Sequence, residues 1–282
     1  MKNILVTGAN GQLGQAITAM AAQYPDFRFF YTDKDTLDIT SPEAVDAYFS
    51  GQTIDAVINC AAYTAVDKAE TDEEAAFLLN FQAPLILAEA AAKHNSAFIH
   101  ISTDYVFDGR HYRPYTEQNE TSPQSIYGAS KLRGEAAVLG YHPNAIIIRT
   151  SWLYSRYGVN FVLRMQELMK EKESLNVVYD QVGTPTYAPD LAAAILAILQ
   201  HPEPAGGIYH YSNEGVASWY DFAIAIKGLT GASCGISPVT SDAYPTAAKR
   251  PAYSVLNKEK IKSVFGITIP YWKDSLAVCL GK

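Results

Sequence analysis

The sequence predicts an α/β protein, a doubly wound parallel sheet carrying a smaller, mixed C-terminal lobe. Three observations predict it. Apolar strand-like runs alternate with helical patterns through the first 150 residues. A loop with glycines at fixed spacing separates the first run from the first helix. After Thr150 the alternation gives way to shorter, less regular elements.

Residues 2–7 read as a buried strand that stops at Gly8, and residues 12–22 as a helix with Leu13, Ile17 and Met20 on one face. A second strand covers 27–32 and ends at Asp33. Ser41-Pro42-Glu43 supplies an N-cap, a proline at the first helical position and an acid, so a helix runs to Phe49. The third strand is 55–59, followed by a long alanine-rich helix over 72–93. A fourth strand over 97–101, a helix over 125–139 and a fifth strand over 145–150 complete the series. Continuously apolar strands belong to a parallel sheet covered on both faces, and with the glycine loop ahead of the first helix the expected form is Rossmann-type. In the second half, 161–172, 189–199 and 218–229 read as helices, and 176–180 and 208–211 as strands. Residues 238–250 read as loop, and two short helices over 258–265 and 271–280 close the chain. Residues 1–150 are thus mainly a dinucleotide-binding domain. Residues 151–282 are mainly a second lobe, with some segments returning to the sheet.

Composition removes several function classes. A net charge of −7 lacks the basic stripe of a nucleic-acid binder. No apolar run approaches the length of a membrane span, so no membrane partner is expected. The apolar start, residues 1–8, is too brief for a signal peptide and flows into the glycine loop. Cys60, Cys234 and Cys279 are odd in number and lack metal-site spacing. That pattern fits a reducing cytoplasm without disulfides.

The glycine loop is Gly8-Ala9-Asn10-Gly11-Gln12-Leu13-Gly14, between a strand and a helix. Its glycines allow a tight turn and close approach of backbone to a pyrophosphate, while the helix N-terminus offers free N–H groups. Asp33 ends the next strand, where a carboxylate accepts from adenosine ribose hydroxyls and favours NADH. The neighbouring Lys34 can instead reach a 2′-phosphate, so NADPH or NADH stays open. Asp38-Ile39 is placed to meet the adenine edge.

Tyr127 and Lys131 are four residues apart and share a helical face. Thr103 ends the fourth strand at the same sheet edge as the glycine loop. Ketone reduction needs a hydride on carbon and a proton on oxygen. Tyr127 is the candidate donor, and Lys131 is expected to lower the phenol's pKa and bind the nicotinamide ribose. Thr103 would hold the substrate oxygen, with Ser102 as a competitor for that role. His100, inside a strand, reads as structural.

These elements, with Asn59-Cys60-Ala61-Ala62 and Asn80 in the same order, resemble the extended short-chain dehydrogenase/reductase family. A closer similarity, to members acting on dTDP-linked 4-keto-6-deoxy sugars, is carried by five segments: 8–14, 61–70, 102–109, 149–154 and 180–186. Arg250-Pro251 and Ser254 echo a sugar-nucleotide contact, with Tyr253 where the family often has asparagine. The resemblance implies hydride transfer to C4 of dTDP-4-dehydro-L-rhamnose, giving dTDP-L-rhamnose, a surface-polysaccharide precursor. It makes Thr103, Tyr127 and Lys131 catalytic. Gly11, Gln12 and Leu13, with Asn10, would meet the pyrophosphate, and Asp38-Ile39 the adenine side. Ala61, Ala62 and Tyr63 would line the cofactor cleft, with Asn80 among the cofactor residues. Asp104, Tyr105 and Trp152 would face the sugar. Some members hold magnesium at a dimer interface through glutamates. Here Gln15 and Asp190 stand at those places, so no metal is expected and a homodimer is left open.

A sugar nucleotide offers a diphosphate, a flat base and a polar sugar. Trp152, Asn160, Phe161 and the Lys249-Arg250 pair suit such a ligand, the arginine fork matching a diphosphate. Two rival readings share the scaffold. One is a nucleotide-sugar 4-epimerase with tightly held NAD. The other is a non-catalytic regulatory subunit, which would be expected to have eroded these motifs.

Overall fold

The computed structural model describes every residue from Met1 to Lys282. Its centre is a parallel sheet of β1 (Lys2–Thr7), β2 (Phe27–Thr32), β3 (Ala56–Asn59), β4 (Ala97–Thr103), β5 (Ile146–Thr150) and β6 (Gly207–His210). The strand order is β6-β5-β4-β3-β1-β2, every pair parallel. Val6 lies between Tyr31 and Ile58 in register. The winding reverses at β1, with β2 on one side and β3 on the other. Beyond the carboxyl ends of those strands a crevice opens, the usual ligand position in such sheets.

The helices are α1 (Gln12–Met20), α2 (Pro42–Gly51), α3 (Glu73–Lys93), α4 (Ile126–Tyr141), α5 (Phe161–Glu171), α6 (Ala188–Gln200), α7 (Trp219–Thr230), α8 (Glu259–Phe265) and α9 (Trp272–Cys279). Successive strand residues face opposite sides, so an all-apolar strand feeds two cores. Ile4, Val6, Ile58 and Ile148 pack with Leu13 and Ile17 of α1 and Leu191 and Ile195 of α6. Leu5, Val57, Phe98 and Ile147 pack with Phe49 of α2, Leu87 of α3 and Val138 of α4. A third cluster, including Tyr154, Val162, Phe222, Trp272 and Leu276, fills the second lobe.

Three details depart from the sequence reading. The long helix is continuous but widens into a π turn at Leu78–Gln82. Pro84 has no N–H for the Asn80 carbonyl, and the turn widens just before it. By length and composition α3 is apolar enough to cross a bilayer, although Asn80, Gln82 and Glu89 interrupt its apolar run. Here it packs on the sheet, α2 and α4, with Ala83, Leu87, Ala88 and Ala91 fully buried. Finally, Gly235–Val239 is a strand, parallel to Ser174–Val178, although Pro238 reads as loop. In a two-stranded sheet every strand is an edge, where proline is tolerated.

Candidate active site

A cleft of about 890 Å³ lies over the crevice and is walled by both halves of the chain. Its floor is the glycine loop. Gly8 has φ +65°, and a Cβ there would lie 2.7 Å from the Ala61 backbone. A Cβ on Gly14 would lie 2.5 Å from Ala9 Cα, so Gly14 serves the packing of α1 and does not line the cleft. Gly11 is the N-cap of α1 and brings no side-chain cap. The first amides of α1 therefore have no side-chain partner, and the cradle suits a pyrophosphate.

Gln12 lines the cleft, but its side chain turns toward the second lobe. Its Oε1 accepts from Ser155 Oγ at 3.1 Å and from Asn160 Nδ2 at 3.0 Å. Asn10 donates its side-chain amide to Asp33, and Leu13 sits at the cleft wall while belonging to the core. Asp33 also accepts from the Asp35 amide and the Thr36 hydroxyl. Lys34, Asp38 and Ile39 line the same end. Asp38 is held below the usual carboxylate range by the Thr40 hydroxyl and amide.

Ala61 and Ala62 line the cleft; Tyr63 and Asn80 do not. Both were expected among the cofactor residues, and their polar atoms are engaged within the wall instead. The Tyr63 hydroxyl donates to Asp72. Asn80 is fully buried in the π turn, where its side chain accepts from Tyr63 N at 2.9 Å and donates to Tyr63 O at 3.0 Å. It also contacts Ser130 Oγ at 3.0 Å. Asn80 is thus a brace joining the cofactor wall to α4.

The catalytic candidates converge on one wall. Ser125 caps α4 through the Gly128 amide, which starts the helix just ahead of Tyr127. A Cβ on Gly128 would lie 2.3 Å from Tyr105 O, so this close approach needs glycine. Tyr105 and Tyr127 meet edge to face, with ring centroids 5.5 Å apart. Ser102 and Thr103 are separated by their partners. Ser102 donates to buried Glu135 at 2.5 Å, whereas Thr103 Oγ1 donates to Asp104 at 3.0 Å beside Tyr127.

The expected lowering of the Tyr127 pKa is not what the geometry gives. Burial raises it, the Thr103 hydroxyl opposes, and the Asp104 and Tyr105 charges add to the rise. Lys131 is 2 % exposed and directs its ammonium to Ile101 O at 2.6 Å and His100 Nε2 at 3.4 Å. Burial pulls Lys131 down to about 8, against the charge of Glu135. His100 is pushed well below its ordinary value by burial and by Lys131, so it is neutral there. A protonated phenol and a largely charged ammonium at neutral pH are suited to proton donation and ribose binding respectively.

At the far end Arg250 donates to Asp67 at 2.6 Å and to the Tyr105 hydroxyl at 3.4 Å. Trp152, Phe161 and Trp219 form the apolar part of this wall. The late segment is locked to the middle motif. Tyr253 N donates to Gly109 O at 3.0 Å, and Ser254 N to Val182 O at 2.7 Å.

The family model described as RmlD substrate binding domain matches residues 1–282. The chain belongs to this family. It is 40% identical to a protein of Aggregatibacter actinomycetemcomitans named dTDP-4-dehydrorhamnose reductase, over 98% of this chain and 97% of that one. A Streptomyces antibioticus protein named probable dTDP-4,6-dihydroxy-2-methyloxan-3-one 4-ketoreductase is 43% identical, over 96% and 92%. The crystal structure of dTDP-4-dehydrorhamnose reductase from Bacillus anthracis in complex with NADP superposes with a TM-score of 0.95. It is 37% identical and covers 99% of each chain.

Sequence reasoning missed Trp219 on the cleft wall and the pairing behind it of Asp67 with Arg250 and of Glu135 with Arg149. Two of these residues carried a signal. Glu135 lies one turn past Lys131 on the same helical face. Arg149 interrupts an apolar strand, which marks a buried pair; it meets Glu135 through two bonds of 2.9 and 2.6 Å. Among the cleft residues no group of His, Cys, Asp and Glu is arranged to hold a metal.

Proposed function

We propose that the chain reduces the C4 ketone of dTDP-4-dehydro-L-rhamnose to dTDP-L-rhamnose with NADPH or NADH. Residues 1–150 mainly hold the cofactor and residues 151–282 mainly the sugar nucleotide. The full-length relatives named as ketosugar reductases support the substrate class, and the relative in complex with NADP supports the cofactor. One observation carries the chemistry. The end of β4, with Thr103, and the first turns of α4, with Tyr127 and Lys131, wall the same cleft that the glycine loop floors.

A reduced nicotinamide, when bound, supplies the hydride to the ketone carbon. Tyr127 gives its phenolic proton to the ketone oxygen as negative charge develops there. Thr103 fixes that oxygen and opposes the rise of the phenol's pKa, and Lys131, anchored by Ile101 O, binds the ribose. Arg250 grips the diphosphate by its fork. The three cysteines are all free, which accords with a cytoplasmic setting. A homodimer belongs to the same reading, and sedimentation velocity measures it.

NADPH oxidation with dTDP-4-dehydro-L-rhamnose, in wild type and Tyr127→Phe, tests the proposal. Removing the proton donor is expected to lower kcat by about 10²–10⁴-fold while NADPH still binds. Equal rates in the two proteins would sink the mechanism.

A further inference from the structure

Trp152 is the residue of the cleft wall with the most unusual backbone. Its φ is +48°, a left-handed conformation that side chains other than glycine rarely adopt. Two neighbours hold it there. The Trp219 indole stacks on it with centroids 3.5 Å apart and planes 10° from parallel. Gly183 lies against its six-membered ring, where a Cβ would come within 2.8 Å of Cε2 and 2.9 Å of Cζ2. Trp152 O accepts from Thr186 N at 3.1 Å, so the backbone is tied as well.

Trp219 is itself firmly placed. It is the first residue of α7, directly after Ser218, whose capping box with Asp221 fixes the start of the helix. Phe161 packs on Trp219 with centroids 4.7 Å apart, adding a third ring beside the indole pair. The stack covers one face of Trp152 with an aromatic surface rather than water or a mobile chain. Strain at a ligand wall persists only where surrounding contacts over-determine it, and here the Trp219 stack is one of those contacts, beside Gly183 and the Thr186 amide.

We propose that Trp219 is a positioning residue for sugar-nucleotide binding, acting through Trp152 by holding its indole at the cleft wall. This rests on the reductase reading above. Losing Trp219 leaves Trp152 free to relax from its left-handed backbone and turn out of register with the sugar. A phenyl ring at 219 preserves part of the stack.

The test uses full-length protein and dTDP-L-rhamnose binding by calorimetry, with NADPH binding as the control. Stacked indoles also couple electronically, so wild type is expected to show an exciton couplet in circular dichroism that Trp219→Leu and Trp219→Phe both lose. Trp219→Leu is expected to weaken dTDP-L-rhamnose binding by about three- to tenfold, the worth of one aromatic stack, with NADPH affinity unchanged. Trp219→Phe is expected to recover most of that loss. In a Trp152→Leu background, Trp219→Leu is expected to add nothing further. Unchanged sugar-nucleotide affinity in Trp219→Leu, with the couplet lost and NADPH bound, overturns the proposal; so does a fully additive double variant. Wild type that binds dTDP-L-rhamnose but turns over no ketosugar defeats the reductase reading alone, because the binding arm still scores Trp219.

Discussion

The Thr103 hydroxyl donates its proton to Asp104 Oδ1 at 3.0 Å, in a wall where both residues are nearly fully buried. The same oxygen accepts from Tyr105 N at 3.2 Å. Thr103 therefore has no second proton for a ketone while Asp104 holds the first. Donation to substrate requires the hydroxyl to turn, so Asp104 sets the state of Thr103.

Burial pushes Asp104 up to about 6, with the Ser254 and Thr103 hydroxyls opposing. The folded state then binds more protons than the unfolded state between about pH 4 and pH 6. Stability falls as pH rises through that window, and the full penalty stands above it. Asp104→Asn keeps an acceptor for Thr103 but carries no charge. It is expected to gain up to about 3 kcal/mol at pH 7 and to flatten the pH 4–6 dependence of the urea midpoint. An inflection near pH 6 in log kcat/KM is expected in wild type and not in the variant.

Lys131 has the opposite sign. Its folded value of about 8 lies below the ordinary 10.5. Below pH 8 the buried ammonium destabilises fully, and stability rises between pH 8 and 10.5 as the folded state sheds its proton first. Lys131→Met removes that rise. Removing the charge gains about 3 kcal/mol at most, and losing the bond to Ile101 O returns about 1–2 kcal/mol. Urea unfolding at pH 7 is expected to show a small net gain, alongside a kcat lowered about a hundredfold or more.

Glu135 and Arg149 form a bidentate pair with 3 % of each side chain exposed, and Ser102 donates to the same carboxylate. Phe107 packs under the guanidinium at 5.0 Å. Breaking such a pair leaves an uncompensated buried charge. Glu135→Gln is expected to cost about 3–5 kcal/mol, read from guanidinium unfolding. The double variant Glu135→Leu with Arg149→Met removes both charges at similar volume and is expected to recover most of that loss. Equal destabilisation by both would show that the pair contributes more than mutual neutralisation.

The sheet was legible because continuous apolar runs such as Ile146-Ile147-Ile148 and the glycine loop are local signals. The meeting of Thr103, Tyr127 and Lys131 at one cleft was legible because a strand end and a helical face each read from neighbouring residues. What escaped depends on partners remote in sequence. Trp219 reads as the start of an amphipathic helix, and nothing near it announces Trp152. Asp67 lies within segment 61–70, but nothing near it in sequence announces Arg250. The two-residue ladder of Leu153–Tyr154 with Thr186–Tyr187 is too short for any periodicity. The lysine–phenol coupling was misjudged because spacing gives a shared face but not where the ammonium points.

Asn80 separates a cofactor contact from a brace most directly. Its side chain satisfies both backbone groups of Tyr63 and touches Ser130, immediately before Lys131. Gly134 admits the Asn80 carbonyl so closely that a Cβ there would lie 2.0 Å from it. Asn80→Ala strands a buried amide and carbonyl, a loss of about 2–4 kcal/mol in urea unfolding. NADPH affinity is expected to fall with it, because the wall at Ala61 and Ala62 is held from behind through Tyr63. Lowered NADPH affinity at unchanged stability would return Asn80 to direct cofactor contact. Parallel losses fit a residue that never touches the cofactor yet keeps its wall and the Tyr127–Lys131 helix in register.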